Sequence, residues 1–157
     1  MIVTLTPYEV RIVEFIAKHR NLANSNVANC KQSTESDYEI HKQGFGAEFA
    51  VAKLLNVFPD FTIGEHPLFD VITRYGLGID VKQRSRDDAP LMAMTWKVKQ
   101  RPDAFVLCVG RLPSYRVVGQ LSADEVFRAE NLRTLPRLGE RYVVEQHQLR
   151  PMDELFA

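Results

Sequence analysis

The sequence predicts an α/β protein with a central mixed β-sheet flanked by helices. Three observations carry this expectation. An amphipathic, well-capped helical pattern opens the chain. Short apolar runs separated by turn residues follow from Phe61 to Leu121. A further capped helical pattern then begins at Ser122.

In "LTPYEVRIVEFIAKHRN", Thr6 is a natural N-cap, Pro7 suits the first helical position, and Glu9 completes a capping box. Val10, Val13, Ile16 and Ala17 form its apolar stripe. "NLANSNVANCKQSTESD" has no periodicity and reads as a connector. The chain therefore divides into an N-terminal helix and connector, residues 1–34, and an α/β core, residues 35–157. A second helix is expected from Glu35 to Asn56, capped near Ser33 or Thr34. Gly44 and Gly46 lie inside it, where each costs about 1 kcal/mol against Ala, so something should approach closely. The strand candidates are "FTIGE", "LFDVITR", "LGIDVKQ", "DAFVLCVG" and "SYRVVGQL". "RSRDDAPLMAMTWKVKQRP" separates the third from the fourth as a long loop, a kind of segment that is usually functional or mobile. "LSADEVFRAENL" reads as a helix capped by Ser122 and Glu125, "RYVVEQ" as a late strand.

With 157 residues, 45% hydrophobic and 25% charged, the chain has the length and composition of one globular domain. Its start has no basic head, long apolar run or small-residue cleavage site, so no signal peptide is expected. "AFVLCVG" is far too short to span a membrane. Cys30 and Cys108 form no CxxC pair, and reduced thiols in a cytoplasmic setting are the simplest expectation. Net charge is zero, but residues 74–116 carry nine Lys/Arg against four Asp/Glu. That local excess fits a surface for a polyanion on an otherwise acidic protein.

"LFDVIT" and "LGIDVKQ" pair naturally as a hairpin through Arg74-Tyr75-Gly76, with Gly76 in the left-handed position. Thr73 then faces Leu77, Val71 faces Ile79 and Phe69 faces Val81 on an apolar side. On the other side Ile72 meets Gly78, Asp70 meets Asp80, and Leu68 meets Lys82. Opposed carboxylates destabilise a sheet unless compensated. A shared proton, Lys82 or a divalent cation could compensate, and an all-oxygen donor set suits Mg2+ or Mn2+. On a helical wheel Glu48 falls within the stripe of Phe45, Phe49, Ala52 and Leu55, so it points at the same core. His41 lies one heptad earlier on that face, an accessory candidate, although a lone histidine is more often structural.

Helical Glu48, "FD" at Phe69-Asp70 and "DVK" at Asp80 to Lys82 resemble the PD-(D/E)XK nuclease superfamily. The resemblance spans Glu35 to Gly110, with Phe69 where the name-giving proline would be and Asp80 in place of the more common Glu. It implies a restriction-endonuclease-like core and a metal-dependent DNA endonuclease, structure-selective in the manner of a Holliday junction resolvase. Asp70, Asp80, Glu48 and the Val81 carbonyl would hold Mg2+ or Mn2+, with Lys82 orienting water or stabilising the transition state. Arg84, Arg86, Lys97, Lys99 and Arg101 would contact DNA phosphates, Trp96 would stack on a base, and Gln83 would support the site from behind. Symmetric cutting of two strands would require a homodimer, with the helix before residue 21 as its arm. The alternative is a catalytically inactive nuclease-fold module that binds nucleic acid or a protein partner.

Overall fold

The computed structural model describes residues 1–23, 36–64 and 68–156. The chain runs β1 (Ile2–Thr4), α1 (Pro7–Ala23), α2 (Asp37–Leu54), β2 (Val71–Ile72), β3 (Gly78–Arg84), β4 (Leu91–Met94), β5 (Ala104–Arg111), β6 (Ser114–Ser122), α3 (Ala123–Val126), β7 (Leu132–Leu135) and β8 (Gly139–Val144). The expected cap holds α1: Glu9 N–H donates to Thr6 Oγ1 at 3.3 Å, and Thr6 N–H donates to Glu9 Oε2 at 2.6 Å. The cap of α2 is Ser36, whose hydroxyl accepts from Glu39 N–H at 3.2 Å. The expected caps Ser33 and Thr34 lie outside the described residues.

A five-stranded mixed sheet in the order β1-β6-β5-β3-β2 forms the centre. Among the described residues only β3 and β5 run parallel, with Asp80 beside Phe105 and Lys82 beside Leu107. Helices α1 and α2 cover one face. Ile79, Val81, Val106 and Cys108 pack there with Val13, Phe45 and Phe49. The opposite face is covered chiefly by a second sheet, β4-β8-β7, together with the short α3. Phe105, Leu107 and Val109 meet Leu91, Ala93, Val126 and Val144 on that side. The protein is therefore mixed α/β, but a small sheet takes the place of helices on one face.

Several expectations change. The N-terminal segment is not a separate arm, because Val3, Leu5, Val13 and Ile16 share one core with α2 and the central sheet. "FTIGE" forms no strand over its described residues, since no neighbouring strand is there to pair with it. The long loop contains β4, which pairs with β8, and a 3-10 turn at Thr95–Val98. The helix from Ser122 stops after one turn at Val126, and Leu132–Leu135 pairs with β8 instead. Among the described residues, no helix is long and apolar enough to cross a membrane.

Gly46 explains the close approach anticipated on α2. A Cβ there would overlap the Tyr115 hydroxyl and lie 3.0 Å from its Cζ. Tyr115 is fully buried, and its hydroxyl donates within reach of both Gln43 O (3.2 Å) and Gln43 Oε1 (3.1 Å). Gly44 has nothing within 4 Å of its Cβ direction.

Candidate active site

The hairpin register is as expected where the ladder is regular, with Val71 opposite Ile79 and Ile72 opposite Gly78. Gly76 takes φ +84°, the left-handed conformation its turn requires. Before Val71 the chain leaves the ladder. Asp70 N–H donates to the Ile79 carbonyl at 2.9 Å, and Phe69 packs its ring over Gly78 instead of facing Val81. The Asp70 side chain then takes over where β2 ends. Its Oδ2 accepts from Val81 N–H at 2.7 Å, a ladder donor that β2 leaves open.

Alternation on β3 sends Ile79 and Val81 toward α2 and Asp80 and Lys82 toward the second sheet. Both faces are covered, so Asp80 is 1% exposed. A buried carboxylate needs partners, and two lysines supply them. Lys82, two residues along the strand, contacts Oδ1, and Lys97 Nζ sits 2.6 Å from Oδ2. Lys97 is carried there by the 3-10 turn that follows β4. Asp80 Oδ1 is buried without a hydrogen bond of proper geometry, so its tie to Lys82 is one of charge.

Glu48 points inward from α2, as its wheel position indicates. Its Oε2 accepts from Arg20 Nη1 at 3.1 Å, and its side chain is 17% exposed. Arg20 also donates from Nη2 to the Asp60 carbonyl at 2.8 Å and from Nε to the Thr62 carbonyl at 3.1 Å. Its guanidinium lies 4.4 Å from the centre of the Phe45 ring. Arg20 escaped the sequence reading because it is 28 residues from Glu48 on another helix. The inward aim of Glu48, which called for a cation, was the available signal.

Three carboxyls thus lie within electrostatic reach and respond differently. Burial favours the protonated form of Asp80, but Lys82 and Lys97 outweigh it and hold the carboxyl below its ordinary value. Burial, and then the Asp80 charge, push Asp70 up to about 6 despite Lys82, the Val81 N–H and Lys97. Burial, and then Asp70, push Glu48 up to about 8, with Arg20 offsetting only part of the effect.

The remaining expected residues divide. Lys97 joins the site. Lys99 is exposed near it, and Trp96 is 51% exposed beside Lys97, whose Nζ lies 5.2 Å from the ring centre. Arg86 is exposed and forms a bidentate pair with Asp88 at 3.0 and 2.9 Å. Arg101 pairs with Asp124 and lies over Phe127. Arg84 is half-buried, donates to the Gln83 carbonyl at 2.9 Å, and is lowered from its ordinary value by burial. Gln83 donates to the Gly110 carbonyl at 2.8 Å, tying β3 to the end of β5. His41 is half-buried on α2, and the helical rise puts its backbone about 10 Å along the axis from that of Glu48. An open, mainly apolar cleft of about 450 Å³ adjoins the site, lined by Phe58, Asp60, Leu68, Phe69, Asp70 and Ile72.

The donor chemistry suits a hard divalent cation: three carboxylates, the Val81 carbonyl, and a buried Asp80 oxygen without a hydrogen bond. The same oxygens are engaged by Arg20, Lys82, Lys97 and the Val81 N–H. Among the described residues, no three His, Cys, Asp or Glu side chains already converge as a metal cage. Comparison with protein-family models, curated proteins and solved structures finds no match to this chain.

Proposed function

We propose that Asp70, Asp80, Lys82 and Glu48 form the active site of a divalent-metal-dependent DNA endonuclease of the PD-(D/E)XK type. One observation carries this reading. Asp80 lies almost wholly buried on a central strand with Lys82 against its carboxylate, while Asp70 is fixed beside it on the Val81 N–H. That is the grouping of acid, acid and lysine by which such enzymes are recognised in sequence. Asp80 and Lys82 lie within the stretch of local basic excess, which also carries the exposed Trp96 and Lys99.

Asp70, Asp80, the Val81 carbonyl and Glu48 would hold Mg2+ or Mn2+. When bound, the ion would neutralise phosphate charge and acidify a water. The chain's own groups do the rest. The Val81 N–H fixes the orientation of Asp70, and Arg20 of α1 fixes that of Glu48. Lys82 is held against Asp80 by its strand, and its ammonium would stabilise charge that grows on the phosphoryl oxygens. Plasmid and branched-DNA substrates, each with Mg2+, Mn2+ or EDTA, test the assignment. Cleavage should require the cation and be lost in Asp80→Asn and Lys82→Met. Cleavage in EDTA, or full activity in Asp80→Asn, would place the chemistry elsewhere.

A second reading has its own support. Arg20, Lys82 and Lys97 already balance the acids, and with Glu48 raised to about 8 the cluster carries excess positive charge at neutral pH. A catalytically inactive module that binds nucleic-acid phosphate through this cluster would look the same. It predicts salt-sensitive DNA binding in EDTA with no cleavage of any substrate.

A further inference from the structure

Two ammonium groups on one carboxylate are more than its charge requires. Lys82 stands within the β3–β5 ladder, which runs from Ile79 to Arg84, so its backbone is held in the central sheet. Lys97 belongs to a four-residue 3-10 turn in which no residue is buried. Its neighbours Trp96 and Val98 are 51% and 42% exposed. Its side chain is nonetheless only 16% exposed, because it reaches back to Asp80 Oδ2 at 2.6 Å.

We propose that Lys97 is the resident counterion of Asp80, displaced when a divalent cation binds and turned outward to the phosphate backbone of the substrate. This rests on the metal-dependent reading above. A cation on the Asp80 oxygens cannot share them with two ammonium groups, because like charges at such separation repel strongly outside bulk water. Of the two, Lys97 can leave. Its backbone lies on an exposed turn, and its ammonium already lies 5.2 Å from the centre of the half-exposed Trp96 ring, a cation-π contact it can keep as it turns outward. Lys97 would thus keep the acids of the metal-free protein neutralised and would set a threshold on metal binding.

Acetylation by acetic anhydride, read by peptide mass spectrometry with Lys99 as the exposed reference, tests displacement in the unmodified protein. Added Mn2+ should raise Lys97 modification severalfold relative to Lys99. Calorimetric titration with Mn2+ should show Lys97→Met binding the ion roughly tenfold more tightly than the parent, the scale of one close charge pair. A lysine serving only to hold the fold would, on removal, leave Mn2+ affinity unchanged or weaken it. At saturating Mn2+, the KM of this variant for DNA should rise by a larger factor than its kcat falls. Unchanged Lys97 labelling in protein that binds Mn2+ and cleaves DNA would overturn the displacement and leave the nuclease reading standing. No Mn2+ binding by either protein, together with no cleavage, would overturn both.

Discussion

Replacing Glu48 by Gln isolates the ionisation of one buried carboxyl, because the amide keeps the shape and cannot lose a proton. In the unfolded chain the Glu48 carboxyl titrates near 4.5, and in the fold it is raised to about 8. A carboxyl whose proton affinity rises on folding favours the fold fully below the lower value. That advantage is lost as pH rises through the higher one. The parent should therefore lose stability between pH 5 and pH 9. At about 1.4 kcal/mol per decade of proton affinity, the full span is about 5 kcal/mol, of which roughly 4 falls above pH 5. Glu48 is 17% exposed, and solvent screening takes the expectation to about 2–4 kcal/mol. The observable is the stability difference between Glu48→Gln and parent at pH 9 minus the same difference at pH 5. The attraction of Arg20 for the ionised form is already contained in the value of about 8, so it enters once, and the titrations of groups remote from Glu48 cancel. Urea denaturation followed by far-UV circular dichroism measures it, since the only tryptophan, Trp96, is half-exposed and a poor reporter of unfolding. A difference that changes by less than about 0.5 kcal/mol between the two pH values would refute the assignment. Glu48 would then be ionised at neutral pH, with Arg20 fully offsetting its burial.

Three further outcomes are expected. Gly46→Ala forces a methyl against the buried Tyr115 and should destabilise by about 1–3 kcal/mol, whereas Gly44→Ala meets open space and should stabilise by up to about 1 kcal/mol; thermal melts of both compare the signs. Arg20→Met removes the link between Glu48 and the Asp60 and Thr62 carbonyls and should destabilise by about 2–4 kcal/mol, by chemical denaturation at pH 9, and by less at pH 5. Mn2+ binding should release protons, because Asp70 and Glu48 are raised to about 6 and about 8 and must ionise to hold the ion. Calorimetry at pH 7 in buffers of different ionisation enthalpy counts those protons, and a count of zero would contradict the raised values.

The parts of the site that local chemistry dictates were legible in the sequence. Gly76 and the alternation on either side of it define the hairpin, and the observed pairs Val71–Ile79 and Ile72–Gly78 follow. The helical wheel aims Glu48 inward, and a buried acid on a strand demands a cation whatever the fold. What could not be read depended on distant partners. β4 reads "LMAM", which has no β-branched residue, and it becomes a strand through β8, about fifty residues later. Without β4, Lys97 has no reason to reach Asp80. "FTIGE" has the composition of a strand, yet its described residues pair with no described strand, so composition misleads there.

The departure of Asp70 from the ladder teaches something different. Strict alternation opposes Asp70 and Asp80 across the hairpin, which calls for a shared proton, a lysine or a cation. The structure relieves the repulsion in part by ending β2 at Val71 and letting the Asp70 carboxylate serve as a backbone acceptor for Val81. A carboxylate doing a carbonyl's work at a sheet edge keeps its charge close to Asp80, and Asp70, raised first by its burial, is raised further by that charge. The electrostatic tension that alternation predicts is therefore reduced and redistributed. Asp80 draws two lysines, Glu48 draws Arg20, and Asp70 draws one N–H. Burial is the larger cause of the raised Asp70 and Glu48, and a cation bound beside them would favour their ionised forms, which is the physical reason to look for one at this place.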